Sequence, residues 1–147
     1  MEHNFWHNKW QINQIGFHQK DEHSGLINHF PKLASGAKVL VPLCGKTVDM
    51  IWLAQQGYHV VGVELSELAA HAFLEENQLT ATRKDIQLEG HSFVVFTCEA
   101  LSIELYIGDF FKFNISDFDG IYDRAALIAL PESMRSEYVQ RLSLIHI

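Results

Sequence analysis

Four short stretches carry the side chains best suited to chemistry: Leu43-Cys44-Gly45, Glu64, Asp109 with Phe110, and Asp123 with Arg124. Each stands where an apolar run stops, and in an open parallel sheet ligands bind beyond the carboxyl ends of the strands. Glu64 follows Gly45 by nineteen positions, a spacing at which a strand-end carboxylate accepts hydrogen bonds from the two hydroxyls of a ribose. The competing reading of Glu64 is a solvated charge, since charged residues mostly stay in water. Gly45-Lys46-Thr47 suggests a phosphate loop instead, but G-x-x-x-x-G-K-[ST] requires a glycine at position 40, and Leu40 is there. A dinucleotide turn needs three glycines where this one offers Gly45 alone. A ligand with a ribose and no phosphate fits better, and S-adenosyl-L-methionine is one. From the residues alone the reading stops at a nucleoside cofactor in a Rossmann-like domain.

The elements that must position these groups are legible as a strand–helix alternation. KVLVPL, from Lys38, reads as a buried strand, and TVDMIWLAQQG as a helix with apolar Val48, Ile51 and Trp52, stopped at Gly57. YHVVGVEL is a second continuous apolar strand. A helix follows, with Ser66 as N-cap and Leu68, Ala69, Ala72 and Phe73 on its buried face. Such a βαβα unit implies parallel pairing with a right-handed crossover. The polar segment Leu79 to Gly90 reads as a connection. SFVVFTCEALSIELYIGDFF reads as two strands joined near Glu99 and Ala100, and another strand is expected around Ile121 and Tyr122. PESMRSEYVQRL, with Pro131 in the first turn and Met134, Tyr138 and Leu142 one turn apart, predicts a last helix.

Composition narrows the function. The 147 residues, 48% hydrophobic and 20% charged, suit one domain with a single core. A net charge of −7 with eleven Lys and Arg argues against a nucleic-acid partner. No apolar run reaches membrane-span length, and MEHNFWHNKW lacks the basic-then-apolar order of a signal peptide, so a cytoplasmic location and no membrane partner are expected. Cys44 and Cys98 have no metal-type spacing and read as small core residues in a reducing compartment. His3 and His7 share a helix face without supporting carboxylates, so no metal is expected. No obligate protein partner is inferred.

Three stretches together, FWHNKWQINQIGFHQ, VLVPLCGKTVDMIWLAQQGYHVVGVELSE and IYDRAALIALP, resemble the bacterial thiopurine S-methyltransferase family. The resemblance covers nearly all of residues 1–141. It implies an α/β fold, the Rossmann-like three-layer αβα sandwich of class I methyltransferases with a mainly parallel sheet, and methyl transfer from S-adenosyl-L-methionine to the sulfur of thiopurines or other aromatic or heterocyclic thiols. Bacterial members are also associated with selenium or tellurium compounds. By motif match the cofactor contacts would be Trp10, Leu43, Gly45, Glu64 and Arg124, with Asp109 and Phe110 beside the adenine. Under this reading Phe5, Trp6, Trp10 and Phe17, whose other reading is a core stripe, close over the cofactor, with His18 and Gln19 as polar groups of the same cap.

The chemistry implied is in-line attack of a thiolate on a sulfonium methyl, governed by alignment more than by acid–base groups. Arg124 is the candidate catalytic residue, favouring the thiolate by its charge; its competing role is to pair with Asp123 or a cofactor group. A halide or thiocyanate methyltransferase, and a non-catalytic module that binds the cofactor, are the alternatives. The family also implies further strands after the helix ending near Leu142, so residues 1–141 are expected to form the first two-thirds of a methyltransferase domain. Residues 142–147 are expected to be a non-native tail: one back-translation, CTGTCTCTTATACACATC, resembles a transposon end used in sequencing libraries. A fragment so truncated is expected to expose a sheet edge and an apolar face, both aggregation liabilities, and to lack the activity of the intact protein.

Overall fold

A computed structural model of the chain describes residues 30–123 and 130–145. Among the described residues six strands form one sheet: β1 (Lys38–Pro42), β2 (His59–Glu64), β3 (Ala81–Leu88), β4 (His91–Cys98), β5 (Ile103–Ile107) and β6 (Gly120–Ile121). Their order is β3-β4-β5-β2-β1-β6. The central run β5, β2, β1 and β6 is parallel, while β3 and β4 are antiparallel additions on one side. The chain leaves β1 towards β2 on one side and returns to pair β6 on the other. That reversal makes the carboxyl end of β1 a topological switch point.

Helices α1 (Asp49–Gln55) and α2 (Glu67–Glu76) cover one face of the sheet, and α3 (Glu132–Ile145) lies with the segment around Phe110–Phe118 on the other. Strand side chains alternate between two cores. Val39, Val41, Val60, Ile103 and Leu105 meet Met50 and Leu53 of α1 and Phe73 of α2. Leu40, Val61, Val63 and Phe93 meet Phe110, Phe113, Phe118 and Tyr138. A strand buried on both faces must be apolar throughout, which is why β1 and β2 read so plainly in the sequence. The three layers are those of a Rossmann-like αβα sandwich.

Most expected elements are present. Ser66 caps α2, its Oγ accepting from the Ala69 N–H at 3.3 Å. On α3, Tyr138 is fully buried with Met134 and Leu142 packed beside it, as their one-turn spacing predicts. Cys44 and Cys98 are free and buried.

Three expectations need correction. The segment Leu79 to Gly90 is not a connection but contains the eight-residue strand β3, paired along its length with β4. As an edge strand it has one neighbour and largely solvated faces, so Arg83, Lys84 and Asp85 replace the apolar pattern and guard the edge. On α2 the buried residues are Ala69, Ala70, Phe73 and Leu74, while Leu68 is exposed. On α1 they are Asp49, Met50 and Leu53; Ile51 and Trp52 are only partly covered, because the helix meets the sheet through a stripe one position away.

Candidate functional site

The parallel strands deliver Leu43 to Gly45, Glu64, Asp109 and Asp123 to one edge of the sheet, at the ends of β1, β2, β5 and β6. The turn after β1 is built on left-handed backbone: Leu43 has φ +50° and Gly45 φ +56°. Glycine adopts this conformation freely, whereas a leucine there is strained, and such strain concentrates at ligand sites.

Glu64 organises the turn. Its Oε1 accepts from the Gly45 N–H at 3.0 Å and its Oε2 from the Ser66 N–H at 2.7 Å, while its own carbonyl accepts from the Gly108 N–H at 2.9 Å. One residue therefore joins the turns that follow β1, β2 and β5. Only 7% of its surface is exposed. Burial raises its pKa, against the opposing pull of the backbone N–H groups. The carboxylate oxygens carry about four lone-pair sites against the backbone N–H groups of Gly45, Leu65 and Ser66, so the chemistry of the donor set leaves room for a further hydroxyl donor. Next to it the Cys44 thiol is pushed well above its ordinary value by burial and then by Glu64, which makes it a packing group instead of a nucleophile.

Lys46 and Thr47 are engaged elsewhere. The Lys46 ammonium lies 2.7 Å from Glu76 at the end of α2, and Thr47 Oγ1 accepts from the Asp49 N–H at 3.2 Å where α1 begins. The Gly-Lys-Thr string is thus a helix start and an ion pair, in agreement with the missing glycine at position 40.

Asp109 lies just beyond β5, and its Oδ1 accepts from the Phe111 N–H at 2.9 Å to cap the turn Phe110–Lys112. Phe110 itself is buried in the second core, 5.3 Å from the Tyr138 ring by centroids. Of the residues named from the sequence, the structure gathers Leu43, Gly45, Glu64 and Asp109 at one edge, with Phe110 packed beneath. Phe5, Trp6, Trp10, Phe17, His18, Gln19 and Arg124 lie outside the described residues.

Sequence reasoning missed two hydrogen bonds flanking β6: Tyr122 donates to Asp49 Oδ2 at 2.9 Å, and Tyr138 donates to Asp123 Oδ2 at 2.7 Å. It also missed His59, whose ring contacts Ser102 Oγ at 2.6 Å and Glu104 Oε1 at 2.8 Å. That cluster sits at the amino-terminal ends of β2 and β5, the far edge from Glu64, and ties the two strands together. Among the described residues no group of His, Cys, Asp and Glu is arranged to hold a metal, and no helix is long and apolar enough to cross a membrane.

Comparison with known proteins accords with this arrangement. Two solved structures share the fold: a TehB-like SAM-dependent methyltransferase from Corynebacterium glutamicum (TM-score 0.57, 16% identity, 97% of this chain and 66% of that one), and a putative S-adenosyl-L-methionine-dependent methyltransferase from Methanococcus maripaludis (TM-score 0.53, 15% identity, 82% and 47%). Sequence relatives are nearer. Thiopurine S-methyltransferases of Vibrio cholerae and Pseudomonas fluorescens are 49% and 47% identical to this chain over 94% and 97% of its length. The chain spans 62% and 65% of those relatives' own lengths. The thiopurine S-methyltransferase (TPMT) family pattern matches residues 1–145. With the strand-end carboxylate and its turn on the same segment as that match, the chain belongs to the thiopurine S-methyltransferase family.

Proposed function

We propose that this chain forms the S-adenosyl-L-methionine site of an enzyme that methylates the sulfur of thiopurines or other aromatic and heterocyclic thiols. The observation that carries this reading is the buried Glu64, held by the Gly45 and Ser66 N–H groups at the switch point of the sheet. Its remaining lone-pair capacity would accept a ribose hydroxyl, and the Leu43–Gly45 turn would offer backbone groups to the cofactor. Carboxylates at the ends of β2, β5 and β6 make this edge acidic, which favours a sulfonium and an ammonium over phosphates.

When bound, the cofactor supplies an electrophilic methyl group that a thiolate displaces in line. The chain's part is alignment and exclusion of water. Trp10, with Phe5, Trp6 and Phe17, would cover the cofactor and give its sulfonium an aromatic face, with His18 and Gln19 in the same cap. Asp109 and Phe110 would flank the adenine. Arg124 would hold the substrate thiol in its thiolate form. The names carried by the bacterial relatives supply the substrate class. No protein partner enters this scheme, and the substrate is a small molecule.

Calorimetric titration of S-adenosyl-L-methionine into the protein and into Glu64→Ala tests the reading. Saturable binding that weakens at least tenfold in the variant is expected, followed by methylation of a thiopurine in a panel that includes iodide and thiocyanate. A folded wild type that binds no cofactor would overturn the proposal, and methyl iodide or methyl thiocyanate as sole product would reassign the substrate.

A further inference from the structure

The strand that forms the far wall of the cofactor edge is held by too little sheet. β6 comprises Gly120 and Ile121, paired with Val39 and Leu40 of β1 at the margin of the described sheet. One backbone bond flanks it on each side: the Asp119 N–H donates to the Lys38 carbonyl and the Tyr122 N–H to the Leu40 carbonyl, each at 2.8 Å. A ladder this short does not by itself fix the direction of the chain beyond it, because a short pairing frays readily.

Immediately after β6 come two residues pointing to opposite faces, as extended backbone dictates. Tyr122 packs against the first core and its hydroxyl donates to Asp49 Oδ2 on α1 at 2.9 Å. Asp123 faces the second layer, where its Oδ2 accepts from the Tyr138 hydroxyl of α3 at 2.7 Å. Asp49 and Tyr138 are each fully buried. The two bonds are crossed: β6 contributes the phenol to one and the carboxylate to the other, so the strand end is gripped from both helical layers at successive residues. Burial and the Asp123 carboxylate push the Tyr138 phenol far up, so it remains a donor at every working pH. Hydrogen bonds to a charged acceptor are among the stronger ones. Both pairs fix the wall across the switch point from the Glu64 turn.

We propose that Tyr122 and Tyr138 are positioning residues for methyl transfer, setting the end of β6 against α1 and α3 and thereby the alignment of the cleft whose other wall is Glu64. The inference rests on the reading of that cleft as the cofactor site. A misplacement of about 1 Å in an aligned reaction lowers its rate on the order of a hundredfold, whereas a loss of general stability leaves the folded fraction unchanged in rate.

The test uses Tyr122→Phe and Tyr138→Phe, each removing one oxygen while keeping its ring, and Ile103→Val as a control. Ile103 is buried at the amino-terminal end of β5, away from the cleft. For each protein Tm, cofactor Kd, and kcat and KM for a thiopurine are measured well below the variant's own Tm. Both tyrosine variants are expected to lose about tenfold or more in kcat with KM and Kd within threefold of wild type, while the control loses Tm alone. If both tyrosine variants keep kcat within twofold of wild type, the inference is overturned and the bonds are structural only. A wild type that binds no cofactor overturns the underlying reading as well, so the two failures are told apart.

Discussion

Replacing Glu64 by glutamine changes one atom and separates the two tasks that residue performs. The carboxylate gives one oxygen to the Gly45 N–H at 3.0 Å and the other to the Ser66 N–H at 2.7 Å. A glutamine offers one acceptor and one NH2, so in either orientation one backbone donor faces another donor. A buried N–H without an acceptor costs about 1–3 kcal/mol, and relief of the buried charge offsets part of it, leaving about 1–2 kcal/mol of destabilisation at neutral pH. In a domain of this size that corresponds to a fall in Tm of roughly 2–8 °C. Urea denaturation should show a lower midpoint at unchanged slope.

The pH dependence gives a second readout. Because burial raises the folded pKa of Glu64, the folded protein binds the proton more tightly than the unfolded chain. Wild-type stability from this group is present below the ordinary glutamate value and lost as pH rises through the raised one. Glutamine does not titrate, so the gap between wild type and variant should widen as pH is lowered across that window. A variant as stable as wild type at neutral pH, or a gap that narrows in acid, would refute the reasoning. Cofactor affinity, measured on the same samples, should fall independently of the stability change.

Gly62→Ala should destabilise by about 1–3 kcal/mol, since the new Cβ would lie 2.9 Å from both Cys44 Sγ and Met50 Sδ and 3.0 Å from Leu105 Cδ2. A thermal melt checks this, and an unchanged Tm would mean α1 sits farther from β2 than described. The Cys44 thiol should react with an aromatic disulfide reagent only as fast as the turn opens, because it is buried and its thiolate is suppressed. Saturating cofactor should slow that labelling further by mass action; immediate reaction of Cys44 in the native protein would contradict its placement.

How much of this was legible beforehand depended on how local the cause was. Val39 to Val41 and Val60 to Val63 are apolar without interruption because both faces of those strands are covered, and the spacing from Gly45 to Glu64 needs only one βαβ unit to bring the two together. Ser66 announces its helix by its own side chain. By contrast β3 was hidden, since an edge strand with Arg83, Lys84 and Asp85 outward shows no apolar period. The stripe Leu68, Ala69, Ala72 and Phe73 is as periodic as the true one, and only the packing angle of α2 selects Ala70 and Leu74. The bonds from Tyr122 to Asp49 and from Tyr138 to Asp123 join residues 73 and 15 positions apart across different layers, and nothing in their local sequence marks them. Glu64 could be named as a ligand-binding carboxylate, but not as the joint that holds three strand ends together.

The position of β6 in the chain also has a kinetic meaning. β1 meets β2 after a loop of about twenty residues, whereas its contact with β6 begins at Lys38 and Asp119, 81 positions apart. Loop-closure entropy rises by about 0.6 kcal/mol for each doubling of length, so the longer closure carries a handicap of roughly 1 kcal/mol and returns only two residues of ladder. The cleft therefore has one wall that condenses early with β1 and β2 and another that closes late and opens first. Amide exchange should find the Tyr122 N–H, bonded to Leu40, exchanging well ahead of the Val60 N–H, bonded to Ser102, and equal protection of the two would show a single cooperative unit. A nascent chain would then carry Glu64 in its turn before the opposite wall existed, and the competence to bind would await the docking of β6.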